Sequence, residues 1–238
     1  MIDIIQLDLS SCRELSTLTK ACSALENTVT SVESLHRLYN QIDDSSSDSA
    51  ETPEKQDLLR AMLLFSASGL DATIKRLIKD ALYEVAEANQ GSFEQLRSYI
   101  GKKIIKSDSQ GKYQEAVLID TDILTSLLLT DDPKKKVIDV LGDDLLQTSF
   151  QSADQVLRAA AYFAIETEKI TDDVSKMRNI FKVRNKITHE SDFVDSEDDG
   201  DIDRVSRDEN EMIEMTNDLL KITYNLISGV RDNLEPAE

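Results

Sequence analysis

The sequence has no tryptophan, 7 glycines and 3 prolines in 238 residues, 2 cysteines, 2 histidines and no long apolar run. Each shortage excludes something. With so few turn-forming residues an architecture of many β-hairpins has little to turn on, and collagen-like or mucin-like chains are excluded by the same composition. The longest uninterrupted apolar stretch, Ala159 to Ile165, is seven residues, against the roughly 20 that a bilayer-spanning helix needs. The opening MIDIIQLDLS carries no basic residue, so no secretory signal is expected and the expected location is cytoplasmic. Cys12 and Cys22 fall ten apart on what reads as one helix, a rise of about 15 Å that no disulfide spans. No CxxC pair, HExxH, EF-hand loop, GxxxxGK or GxGxxG is present, so neither a metal nor a cofactor is expected.

What the chain does have is acid and helical periodicity. Against 46 Asp plus Glu stand 27 Lys plus Arg, a net charge of −19. Such a field repels nucleic acid unless a local basic patch overrides it, and it suits a basic protein partner. The charge is uneven. Residues 190–211 hold eleven acids and two arginines, whereas 175–188 hold Lys176, Arg178, Lys182, Arg184 and Lys186 with no acid at all.

Leu15, Leu18, Cys22, Leu25, Val29, Val32, His36 and Tyr39 alternate steps of three and four, an apolar seam that can pair within the fold or between subunits. Thr52 and Pro53 open a second long helix to about Ala88. The small residues Ser66 to Gly69 inside it imply a close helix crossing. Gly91 is expected to close that helix, and Ser92 with Gln95 to start a short one ending near Ile105. Helical patterning follows over 113–129, then from Asp132 and Pro133 to Gly142. Ser152 with Gln155 caps a helix over 153–167; Thr171, Asp172 and Asp173 cap the helix bearing the basic run; a last helix runs over about 206–230. These segments predict a single all-α domain over 1–238, a bundle of long antiparallel helices. A set of short helices is inserted at about 92–149, and a flexible acidic tract lies at about 191–205.

With two histidines the options for proton transfer near neutral pH are few. His36 sits on the first seam and reads as a core or interface residue. His189 lies in RNKITHE, residues 184–190, five residues after Arg184 and about 140° from it on an ideal helix. Arg184 offers a forked cationic donor suited to phosphate oxygens, His189 a proton, and Asn185 a hydrogen-bonding amide. Together these roles fit cleavage of RNA without metal, in which a 2′-hydroxyl attacks its own phosphorus and leaves a 2′,3′-cyclic phosphate and a 5′-hydroxyl. The competing structural roles are a salt bridge for Arg184 and an interaction of His189 with the helix C-terminus.

The segment MRNIFKVRNKITHE, residues 177–190, resembles the terminal helix motif of the HEPN superfamily, in which Arg, usually followed by Asn, precedes His by four to six residues. LLRAMLLFSASGLDATIKRLIKDAL, residues 58–82, is similar to the early helix of HEPN proteins with a Ser and, five residues later, an acid. The resemblance implies a HEPN-like helical bundle and a metal-independent endoribonuclease, with Arg184, Asn185 and His189 as the catalytic motif and Ser66 and Asp71 at the polar positions. Asp71 would tune His189 or hold Arg184, although an ion pair with Lys75 is the alternative. The implied partners are an RNA substrate and a second copy of the chain, and in a toxin or antiphage setting a cognate antitoxin or regulator. The alternative is a catalytically inactive helical module that binds or regulates a protein partner as half of a toxin-antitoxin pair.

Overall fold

The structure is a computed structural model that describes residues 2–42, 52–104, 125, 127–193 and 204–235, the side chains at 97 and 100–104 excepted. Its helices are α1 (Ser10–Arg13), α2 (Thr19–Gln41), α3 (Pro53–Ala88), α4 (Gln90–Ile104), α5 (Pro133–Leu146), α6 (Ala153–Tyr162), α7 (Thr167–Ile170), α8 (Val174–Glu190) and α9 (Glu209–Leu234), with a 3-10 turn at Ser16–Leu18. Among the described residues there is no strand, only an isolated antiparallel bridge between Phe193 and Arg204. The molecule is an all-α bundle. No described helix is long and apolar enough to cross a membrane.

The axis of the bundle is α3, 36 residues and therefore about 54 Å long. Thr52 starts it as expected, its hydroxyl accepting the N–H of Lys55 at 3.4 Å, with Pro53 in the first turn. Leu59, Met62, Leu63, Leu70, Ile74, Leu77, Ile78, Leu82 and Val85 are all buried. So broad an apolar side needs cover from more than one direction, and α2 and α9 pack along it. Thr17 donates to Glu84, Lys20 pairs with Asp80, and Lys55 lies over the Tyr39 ring, so α2 runs antiparallel to α3. Gln56 exchanges two hydrogen bonds with the backbone of Arg207, and Asn89 donates to Asn233, so α9 runs parallel to it.

The α2 seam faces inward. Cys22, Leu25, Val32, His36 and Tyr39 are buried, and Leu15 and Val29 pack against the same core; the seam belongs to the fold and is not a surface for self-assembly. Gly69 marks the close crossing, since a Cβ there would stand 2.1 Å from Thr28 Oγ1. Ser66, fully buried, donates to the Leu63 carbonyl at 2.9 Å and packs in the core.

Several boundaries differ from expectation. The chain breaks between α1 and α2, which puts Cys12 and Cys22 on different elements. They are close enough that Cys12 adds to what disfavours the Cys22 thiolate, so the one-helix spacing does not apply, yet both thiols are free and buried. α3 ends at Ala88 and Gly91 lies inside α4, its N–H bonded to the Asn89 side chain at 2.8 Å. Ser92, expected as a cap, instead donates to the Tyr162 carbonyl at 2.6 Å. α6 stops at Tyr162, where Ala164 turns left-handed at φ 56°, and α5 continues through Gly142 to Leu146. Residues 43–51 and 105–124, and with them most of the helical patterning over 113–129, lie outside the described residues.

Candidate active site

Helix α8 carries three of the four residues singled out for chemistry. It starts where Asp173 accepts the N–H of Lys176 at 2.9 Å, filling one of the donors a first turn leaves open. It docks through Met177, Ile180, Phe181 and Ile187, buried at helical spacing. The opposite face stacks Arg178, Lys182, Asn185 and His189 in one line, because steps of four, three and four return to the same side of a helix. Arg178, Lys182 and His189 are exposed and Asn185 is half-buried.

Arg184 is not on that line. It is 6% exposed. Its Nη1 donates to Gln151 Oε1 and to Asn185 Oδ1, each at 2.9 Å. Its Nε is buried without a partner, and Nη2 makes no hydrogen bond among the described residues. Burial pushes the guanidinium below its ordinary pKa, and the field of Asp71 works in the other direction. Asp71 nevertheless forms no ion pair with it: Oδ1 accepts the Phe150 N–H at 2.9 Å and Oδ2 binds Lys75 at 2.8 Å. Nε is thus unspent in a desolvated place, a costly arrangement that an incoming anion would relieve.

Beside Asn185 a groove of about 580 Å³ runs between α8 and the first turn of α6. Ser152, Ala153, Asp154, Lys182, Asn185 and Lys186 line it, with Arg178, Phe181 and Glu190. Ser152 caps α6, accepting the N–H of Gln155 at 3.3 Å, so the positive end of that helix opens on the groove. Two acids temper the charge, Asp154 in an ion pair with Arg178 at 2.9 Å and Glu190 at the other end. Neither Arg184 nor His189 is part of the lining. His189, in the last turn, makes no hydrogen bond or ion pair among the described residues. Within one protomer the structure brings Arg184, Asn185 and Asp71 together and leaves His189 apart on the surface.

Two groups went unnoticed in the sequence. Gln151 is the first, hidden because a residue preceding a cap carries no signal of its own. Asp192 is the second, one of the eleven acids of residues 190–211 and part of the tract expected to be flexible. It is fully buried and receives Nε of Arg60 and Nε of Arg207, each at 3.0 Å on Oδ2, with Arg207 Nη2 on Oδ1. Burial pushes its carboxyl up, but the hydrogen bonds from Arg207 and Arg60 outweigh this and hold it below the ordinary carboxylate range. A signal for it existed: Arg60 falls on the apolar stripe of α3 between Leu59 and Leu63, and a buried arginine calls for a buried carboxylate. The tract expected to be flexible is therefore anchored at both ends, since residues 191–193 and 204–205 are fixed by this network; 194–203 lie outside the described residues.

Among the described residues no group of three or more His, Cys, Asp or Glu is placed to hold a metal ion. Comparison of the chain with protein-family models, curated proteins and solved structures returns no match.

Proposed function

We propose that the chain is a HEPN-like, metal-independent endoribonuclease that acts on RNA as a homodimer, in the setting of a toxin or an antiphage effector. The observation that carries this reading is Arg184, a guanidinium more than nine-tenths buried with Nε and Nη2 unspent and no carboxylate bound to it. Such a group is suited to the nonbridging oxygens of a phosphodiester. The 2′-hydroxyl of the substrate forms the new bond to phosphorus, the 5′-oxygen leaves, and His189 exchanges the proton. Asn185, its Oδ1 held by Arg184, presents its NH₂ for substrate positioning. Because His189 stands away from Arg184 in one protomer, a second copy supplies the missing half of the cleft.

The test is incubation with single-stranded and transfer RNA in excess chelator. Cleavage yielding 2′,3′-cyclic phosphate ends, lost by roughly 100-fold or more in Arg184→Met and in His189→Ala, supports the reading. Unchanged cleavage in the double variant overturns it.

A second reading, a module for a protein partner, is favoured by Leu128 and Leu129, 75% and 81% exposed. They adjoin in sequence a groove with an apolar surface, lined by Phe93, Leu96, Leu127, Pro133, Val137 and Ile138 together with Lys134. A stable heteromer with no RNA turnover, free or bound, selects it.

A further inference from the structure

We infer that Asp192 is a positioning residue for His189, clamping the C-terminal end of α8 to α3 and to the start of α9. Its catalytic meaning rests on the nuclease reading above; the clamp itself rests on geometry alone.

Helix α8 ends without a glycine. Ser191 and Asp192 are both left-handed, at φ 53° and 62°, a conformation that a Cβ disfavours at each residue. Two such residues in succession persist only where their surroundings over-determine them. Here one side chain supplies most of that constraint. The buried Asp192 carboxylate is bonded by Arg60 from α3 and by Arg207 just before α9. Its backbone is held as well, the N–H on the Lys186 carbonyl at 3.3 Å and the carbonyl by the Val205 N–H at 2.8 Å. Arg60 closes the circuit by donating to the Val205 carbonyl at 2.6 Å.

His189 lies three residues before Asp192 in the turn this circuit terminates. Its ring has no hydrogen bond among the described residues, so no side-chain partner fixes its direction. The backbone of the last turn is what aims the imidazole, and the backbone of the last turn is held by Asp192. Release of the carboxylate frees the strained pair 191–192 to relax, and the relaxation propagates first into Thr188, His189 and Glu190, the nearest residues with no tertiary anchor of their own.

The experiment compares Asp192→Asn and the milder Arg207→Gln with Leu226→Ala, a core truncation about 25 Å along α9 from its N-terminus. Three readouts are taken on the full chain: amide exchange of Ile187 to Glu190, the His189 ring signal in NMR, identified against His36 by a His189→Gln variant, and steady-state cleavage of single-stranded RNA. The clamp predicts that exchange at 187–190 rises about tenfold or more beyond the control. It also predicts a shifted His189 signal and a kcat lower by about tenfold, with KM within about threefold. Exchange and ring signal indistinguishable from the control in both variants overturn it. Should Asp192→Asn fail to fold, Arg207→Gln, at the partly exposed edge of the network, decides between the two outcomes. Should the wild-type chain leave RNA intact, the nuclease reading falls while exchange and ring signal still decide the clamp.

Discussion

Arg184 Nη1 donates to the side-chain oxygen of Asn185, its neighbour in the chain, at 2.9 Å. Adjacent helix residues point about 100° apart, so the bond requires the long arginine to bend across the helix while its neighbour reaches the groove. One consequence is a division of labour: the buried cation orders the amide, and the amide faces the solvent side.

Arg184→Met is expected to leave folding stability within about 1 kcal/mol of wild type or slightly higher. The two lost hydrogen bonds, about 1 kcal/mol each, are offset by removal of a desolvated cation with unspent donors. RNA cleavage is expected to vanish in the same protein. Urea titration beside the cleavage assay checks both, and a loss above about 3 kcal/mol would mark Arg184 as a structural group instead.

Asp192→Asn is expected to cost about 3–5 kcal/mol at pH 7, since Arg60 and Arg207 would keep their charges with no carboxylate between them. The effect depends on pH with a definite sign. The folded carboxyl lies below its ordinary value, so its stabilisation is complete above the unfolded carboxylate range and is lost as pH falls through the folded value. Urea midpoints of wild type and variant should therefore be far apart at pH 7 and converge as pH drops below about 4.

Gly69→Ala should destabilise by about 1–3 kcal/mol even though alanine is the better helix former. Its Cβ would sit 2.1 Å from Thr28 Oγ1 and 2.3 Å from Cγ2, and Thr28 is branched, buried and bonded to the Ala24 carbonyl. Pairing the change with Thr28→Ala should recover only part of the loss, because Thr28 Cβ itself would stand 2.7 Å from the new methyl, whereas Thr28→Gly removes all three contacts; a double-mutant cycle in denaturant measures the difference.

Burial pushes the Cys22 thiol up to about 11, with repulsion from Cys12 adding to it. Thiolate at pH 7.5 is accordingly scarce, and Cys22 should resist a disulfide-exchange reagent in the native state and react once urea unfolds the chain. Rapid native labelling of Cys22 would contradict its placement in the core.

The sequence made the long helices legible because their signals are local and redundant. Thr52 with Pro53, Asp132 with Pro133 and Ser152 with Gln155 each mark a start where the backbone does begin a helix. Apolar spacing on α2, α3 and α9 predicts the buried set in the same way. Capping serine patterns misled at Ser92, where a tertiary acceptor, the Tyr162 carbonyl, competes for the hydroxyl. The site was legible only as a set of residue types. Spacing named Arg184 and Asn185, but Arg184 is buried in the fold and held by Gln151, 33 residues away in the chain. Asp192 was hidden for a related reason: a composition average treats one acid as like the next, while its two arginines stand 132 and 15 residues away.

The bridge between Phe193 and Arg204, with Asp192 bolted beneath it, gives the intervening stretch two fixed feet on the bundle. A break in either foot would therefore be felt along α8, because the same contacts that seat Phe193 and Arg204 also hold the residues that end that helix.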